Sequence, residues 1–288
     1  MPKISYVNGS YVNHLDAFVH IEDRGYQFSD GVYEVMAFYN RHFVDEELHL
    51  KRLMRSLREL RINAPMSSKA MRLVMRELLA RNDREDGTLY MQISRGVARR
   101  DHPFPKTTRP AFVMAVTGPK MPKAKEIKNG VSVISYPDLR WGRRDIKSIS
   151  LLPNILAKQA ASEASAREAW LFNKAGIISE GSSSNNAIIN EKGEIITSPA
   201  DYNILGGISR EVVLAIARKD GFKIIERSFS LGEAKKAKEA FLMSTTSNIL
   251  PVTSIDREKI ADGKPGKTTL RLLTLYHHHI YRQTGKQW

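Results

Sequence analysis

The chain has 288 residues, 42% of them hydrophobic, with 45 Lys and Arg against 31 Asp and Glu for a net charge of +14. That length and apolar content exclude a disordered or low-complexity chain and point to one large or two moderate domains. No cysteine is present, which excludes disulfides, thiolate metal sites, iron–sulfur clusters and a cysteine nucleophile together; a cytoplasmic setting is compatible and is the expectation. The longest apolar runs, such as residues 111–117, are too short to cross a bilayer. The opening MPKISYVNGS lacks the apolar core of a secretory signal. The basic residues are dispersed, over Lys51, Arg52, Arg55, Arg58 and Arg61 and again over Lys120, Lys123, Lys125 and Lys128. No nucleic-acid-binding pattern accompanies them, so the charge reads as a solvated surface, with neither nucleic acid nor membrane as partner.

In chain order, SYVNG and AFVHI read as two strands of a meander. A helix follows at about residues 45–61, where Leu50, Leu53, Leu57 and Leu60 recur at helical spacing. A second helix at about 67–81 has Ser67 or Ser68 as its cap and Leu73, Val74, Leu78 and Leu79 as its apolar face. Strand-like runs at 88–94 and 111–117 flank an irregular segment at 95–105. GPKMPKAKEIKNG, rich in Pro, Gly and Lys, is the linker candidate. The expected division is a small N-terminal α/β domain over 1–118, a linker over 119–130, and a large C-terminal domain over 131–288. That second part opens with a strand at 131–135 and a helix at about 154–166. Hairpin-like strands EAWLFN, IISEG, NNAIIN and IIT come next. After a GGIS turn a helix carries Val212, Val213 and Ile216 as its stripe and stops at Gly221. A strand then runs into Ser244–Thr246 hydroxyls, and a last helix covers about 268–283. The fold class is mixed, α/β or α+β.

Taken singly, the polar features allow two readings each. The GGIS turn is either an ordinary helix start or a phosphate site built from free N–H groups and a helix dipole. Lys147 in DIKSISLL is either a snorkelling surface lysine or a desolvated amine able to form an imine. Glu180 in ISEGSSSNN is either a solvated turn acid or a functional carboxylate. The triplet His277, His278, His279 spreads its imidazoles around a helix, so no metal site is expected. Neither GxGxxG, a Walker loop nor a GxSxG elbow occurs.

The stretches DRGYQFSDGVYE, HLKRL, ISRGVARRDHPFP, DIKS, KQAASEA, SEGSSSN, GGISR and STTSNILPV occur in this order along nearly the whole chain. Together they resemble the fold-type IV pyridoxal-phosphate enzymes, a two-domain family that includes D-amino-acid and branched-chain aminotransferases and aminodeoxychorismate lyase. The resemblance implies that Lys147 holds pyridoxal 5′-phosphate as a Schiff base and then acts as the catalytic base. It implies that Glu180 lies by the pyridine nitrogen and keeps it protonated. It implies that Arg52, the backbone N–H groups of Ile208 and Ser209, the Ser209 hydroxyl and Thr245 bind the cofactor phosphate.

Within that family, D-amino-acid aminotransferases carry an Arg-x-His pair that binds the substrate carboxylate, and this chain reads Arg100-Asp101-His102 at the matching place. Tyr33 in GVYE matches a tyrosine that binds the same carboxylate. Where branched-chain enzymes show a Tyr/Phe-x-Gly-x-Arg pattern, this chain has VYEVMAF. The resemblance therefore implies transamination of D-amino acids such as D-alanine with 2-oxoglutarate, giving a 2-oxo acid and D-glutamate. The alternatives on the same fold are an (R)-amine or branched-chain aminotransferase and aminodeoxychorismate lyase; from another class, a non-catalytic basic binding protein. In relatives the Arg and His reach into the neighbouring subunit's site, so the resemblance also implies a homodimer.

Overall fold

A computed structural model describes residues 3–119 and 121–288. Lys120, counted above among the basic residues and within the linker, lies outside the described residues. The chain divides into two compact units. One comprises Met1–Lys120, Ile146–Ser150 and Arg282–Lys286, the other Met121–Asp145, Leu151–Tyr281 and Gln287–Trp288. Lys147, expected within the C-terminal block, is thus carried by a short segment that clusters with the first unit.

The first unit contains β1 (Ile4–Val7), β2 (Ser10–Asn13), α1 (Arg24–Phe28), β3 (Gly31–Tyr39), β4 (His42–Phe43), α2 (Glu46–Glu59), α3 (Ser68–Asn82), β5 (Gly87–Ser94) and β6 (Ala111–Thr117). Its strands form an antiparallel sheet of order β2-β1-β6-β5-β3-β4. The longest pairing joins β3 to β5, from Gly31 opposite Ser94 to Phe38 opposite Gly87. Val32, Met36 and Phe38 of β3 and Leu89, Met91 and Ile93 of β5 are buried with Leu50, Leu53 and Leu57 of α2 and Met71, Met75 and Leu78 of α3. The α2 leucines repeat every three or four residues and so share the buried face.

Ser67 caps α3, its hydroxyl accepting from Ala70 N at 3.2 Å. The buried face of α3 differs from the expected one: Met71, Met75, Leu78, Leu79 and Asn82 point inward, whereas Leu73 is 67% exposed. The inward set follows i, i+4, i+7, i+8, and Leu73 lies off that stripe. AFVHI is also corrected. Residues 17–21 form no strand, and Phe18 and Ile21 are exposed. The strand that follows β1 in the chain and pairs with it is β2, with Tyr11 opposite Tyr6.

The second unit contains α4 (Ala124–Asn129), β7 (Val131–Pro137), α5 (Leu152–Glu163), β8 (Glu168–Phe172), β9 (Ile177–Gly181), β10 (Asn185–Ile189), β11 (Ile195–Thr197), α6 (Ile208–Lys219), β12 (Ile224–Glu226), β13 (Phe229–Ser230), α7 (Leu231–Lys235), β14 (Glu239–Ser244), β15 (Asn248–Ile255), β16 (Glu258–Lys259) and most of α8 (Lys267–Thr284), whose residues from Arg282 on cluster with the first unit. Helix α4 occupies part of the stretch read as linker. The mixed sheet has order β12-β11-β10-β14-β15-β7-β8-β9-β13, with β16 beside β15. Strands β7 and β8 are parallel, and α5 lies between them in the chain, as a parallel pair requires of its connection. Trp170 is fully buried and meets Phe229 edge-on, with centroids 6.3 Å apart; it is a core residue. No helix among the described residues is long and apolar enough to cross a membrane.

Candidate functional site

In the first unit, the chemistry gathers at the start of β3. Residues 147–149 run against it: Tyr33 N donates to Lys147 O at 3.0 Å, Ile149 N donates to Gly31 O at 3.1 Å, and Val32 bridges Ser148. Ser56 of α2 accepts from Lys147 N at 3.3 Å. The Lys147 backbone is therefore fixed from two elements. Its side chain is free of hydrogen bonds among the described residues, and Nζ lies 4.1 Å from the centre of the Tyr33 ring. The Tyr33 ring in turn tilts against Tyr90 at 5.9 Å. Burial and the neighbouring Tyr33 push the Tyr90 phenol up to about 12, so it stays neutral and donates to Gln92 Oε1 at 2.6 Å.

Arg52, one turn before Ser56 on α2, makes a fork with Glu34: Nε to Oε2 at 2.9 Å and Nη2 to Oε1 at 2.6 Å. Glu34 is fully buried and also bonds His49 Nδ1 at 3.0 Å. Burial opposes the Glu34 charge, but Arg52 and His49 outweigh it and hold the carboxyl well below its usual range. Sequence reasoning missed Glu34. Its signal was available: a carboxylate at an inward position of an apolar strand needs a cation partner.

Arg100 and His102 lie on the exposed loop between β5 and β6. They flank Phe28, with the Arg100 guanidinium 5.1 Å and the His102 ring 5.6 Å from its centre. Among the described residues they contact neither Tyr33 nor Lys147. Asp101 is not spent on Arg100; its Oδ1 accepts from His102 N at 2.8 Å.

In the second unit, Glu180 at the end of β9 is almost wholly buried. Its oxygens accept from Arg140 Nη1, from Asn185 Nδ2 at 2.9 Å and from Leu205 N at 3.1 Å. Burial raises the carboxyl above its ordinary range even though Arg140 works against that. Arg140 is itself forked onto Asp138, with Nε–Oδ1 and Nη2–Oδ2 both 2.9 Å, and Arg144 approaches Asp138 at 3.3 Å. The Asp138–Arg140 pair was not foreseen; 40 residues separate Arg140 from Glu180, and no local pattern links them. The serines of SEGSSSN turn to a different acid. Ser182, Ser183 and Ser184 all donate to buried Glu168, the last two at 2.7 and 3.2 Å.

The GGIS turn opens α6 with Gly207 as its N-cap, and no side chain caps it. The N–H groups of Ile208 and Ser209 precede the helical ladder and carry the positive end of its dipole. Ser209 is buried, and its hydroxyl lies 3.3 Å from Tyr276 Oη. Thr245 is half-buried in the turn joining β14 to β15, where Ser244 faces Asn248. Gly207 is required for space. A Cβ there would lie 2.0 Å from Asn185 Oδ1, and Asn185 is pinned to Glu180 and to Leu205 O, both at 2.9 Å. Gly207→Ala is expected to destabilise the protein by about 1–3 kcal/mol through this overpacking, read in a thermal melt. Gly206→Ala, whose Cβ meets nothing nearer than 3.9 Å, should melt with the parent; equal melting of both variants would refute the account.

The amino-transferase class IV family model matches residues 31–255. A D-alanine aminotransferase of Bacillus licheniformis is 40% identical over 279 residues, covering 97% of this chain and 98% of its own. One from Listeria monocytogenes serotype 4b is 39% identical over 282 residues, covering 97% of each. Among solved structures, the Escherichia coli branched-chain amino acid aminotransferase superposes with a TM-score of 0.91 at 21% identity, covering 100% of this chain and 98% of its own. The branched-chain amino acid aminotransferase of Thermobaculum terrenum, in its PLP holo form, gives 0.85 at 22% identity, covering 99% and 95%. At that identity the structures speak for the fold alone, and it is the fold-type IV architecture.

Proposed function

The chain belongs to the amino-transferase class IV family and is a pyridoxal-phosphate-dependent aminotransferase, and we propose that it transaminates D-amino acids, D-alanine among them, with 2-oxoglutarate as acceptor. The donor class is supported by the D-alanine aminotransferases that align with it almost end to end. The observation in the chain that carries the reading is Lys147: a backbone hydrogen-bonded from two elements presents an amine that no acceptor among the described residues engages, over an aromatic face.

The residues suit the cofactor. Pyridoxal phosphate supplies an aldehyde that condenses with amines and a ring that draws electrons from the carbon losing a proton. In our reading Lys147 Nζ would hold the cofactor and, as a free amine, would carry the proton from the substrate Cα. Glu180, its carboxylate fixed by Arg140, Asn185 and Leu205 N, holds a proton on the ring nitrogen. The uncapped start of α6, with Ile208 N, Ser209 N and the Ser209 hydroxyl, receives the phosphate, and the glycine at its N-cap leaves no side chain in the way. Thr245 and Arg52 complete that binding; Arg52 arrives already oriented by Glu34.

Tyr33, Arg100 and His102 bind the substrate carboxylate, the guanidinium as a two-pronged donor. Arg100 and His102 are exposed and touch neither Tyr33 nor Lys147 among the described residues, which fits a homodimer in which each subunit lends this pair to its neighbour.

The test is the visible spectrum of the purified holoenzyme during titration with D-alanine and, separately, L-alanine. D-Alanine alone should shift the cofactor band and release pyruvate. A band that neither enantiomer moves would overturn the donor assignment, and absence of any band with added cofactor would overturn the Lys147 role.

A further inference from the structure

Three consecutive backbone carbonyls converge on one buried guanidinium. Arg24, whose side chain is 4% exposed, donates from Nη1 to Asp101 O at 2.6 Å and to Pro103 O at 3.5 Å, and from Nη2 to His102 O at 3.2 Å. Carbonyl dipoles pointed at a common centre repel one another unless a cation with several donors fills it, and the planar fork of arginine meets that need where a point charge does not. The remaining edge of the guanidinium is anchored: Nε donates to Asp30 Oδ2 at 2.9 Å.

Asp30 is shared. Arg95 donates to it at 2.7 and 2.9 Å, and also to Leu60 O and Arg61 O beyond the end of α2. The Arg95 guanidinium lies 3.6 Å from the centre of the Phe104 ring, so the loop is tied down on both sides of residues 101–103. Burial opposes the Asp30 charge, but hydrogen bonds from Arg95 and Arg24 prevail and keep it ionised. Arg24 also begins α1, whose last residue is Phe28. Its guanidinium packs 4.8 Å from the Phe28 ring, the same ring that Arg100 and His102 flank.

We infer that Arg24 is a positioning residue for the substrate-carboxylate grip: held by Asp30, it sets both the backbone of residues 101–103 and the ring between which Arg100 and His102 stand. The inference rests on the reading that Arg100 and His102 bind that carboxylate. An exposed loop without such an anchor samples many conformations, and each binding event then bears the cost of ordering it. The grip acts on substrate before and throughout the reaction, so loosening it raises KM and leaves kcat near its original value.

The experiment compares Arg24→Gln and Arg24→Lys with the parent holoenzyme, alone and combined with Arg100→Ala/His102→Ala. In either Arg24 variant, KM for D-alanine should rise about tenfold or more with kcat within about threefold. The cofactor spectrum should be unchanged, and amide hydrogen exchange over residues 99–104 should be faster. In the background lacking the grip the KM effect of the Arg24 change should vanish, because both changes then remove one interaction. Parental KM and parental exchange in Arg24→Lys would overturn the inference alone, and so would a KM effect that persists at full size without Arg100 and His102. Parental KM in Arg100→Ala/His102→Ala would instead sink the grip itself, and the inference with it. If Arg24→Gln does not fold, the lysine variant carries the same comparison, since it keeps the charge and loses only the fork.

Discussion

Lys147→Ala is expected to lower kcat for transamination by at least about a thousandfold, the combined loss of the covalent anchor and proton carrier proposed for it. The cofactor-free variant should melt within a few degrees of the cofactor-free parent. Both halves of that expectation follow from how the residue is held. Its position comes from backbone bonds to Ser56 and Tyr33, which alanine retains. Among the described residues its Nζ contributes only the contact with the Tyr33 ring, worth about 0.5–1 kcal/mol at an accessible site. Steady-state assays with D-alanine, beside a thermal melt, check the two together. Near-parental turnover would remove Lys147 from the chemistry, whereas a collapsed melt would mean that the side chain serves the fold.

Glu180→Gln should cost both catalysis and stability. Arg140, Asn185 and Leu205 N all donate to the carboxylate, and a glutamine amide would set its own N–H₂ against one of these donors. Leaving a donor of a buried charged pair unmatched costs about 3–5 kcal/mol; Arg140 keeps its fork to Asp138, which places the expected loss near the lower end. A neutral amide also cannot hold a proton on the ring nitrogen, so kcat should fall about 10²- to 10³-fold, the scale for removing one preorganised electrostatic group. Glu180→Asp separates the effects: it keeps the charge, and should recover turnover more fully than Glu180→Gln at comparable stability. Parental kcat in a folded Glu180→Gln enzyme would rule out the assigned role.

What could be read from the sequence was what local rules govern. The Ser67 cap, the leucine stripe of α2 and the paired runs that became β5 and β6 depend on neighbours within a few residues, and they lie where the spacing placed them. The two-layer detail did not follow as well. Leucine drew the expected α3 face toward Leu73, but the phase of the helix is set by the sheet beneath it, which buries Met71 and Met75. AFVHI looked like a strand because its apolar residues suggest burial, yet Phe18 and Ile21 are exposed and, among the described residues, no strand pairs with them. The candidate site residues were proposed from motifs, while the side chains that hold them in the structure were not. Glu34 behind Arg52, Arg140 behind Glu180, and Arg24 behind the Arg100–His102 loop lie 18 to 78 residues from what they hold. Their placement is a product of topology, and periodicity is blind to it.

The segment Ile146–Ser150 clusters with the first unit although residues on both sides of it, through Asp145 and from Leu151, cluster with the second. The first unit is therefore discontinuous along the chain, and its last piece, Arg282–Lys286, lies at the far end of α8. During synthesis on the ribosome, the start of β3 stays without its Lys147 neighbour until residue 150 has emerged, and Asp45 waits longer still for the Gln283 amide that bonds it. Vectorial folding can complete neither unit by itself. A polypeptide cut near residue 120 would carry a full sheet and the three helices α1, α2 and α3 yet lack the lysine segment, so the halves of this enzyme are expected to regain activity only when co-expressed or kept on one chain.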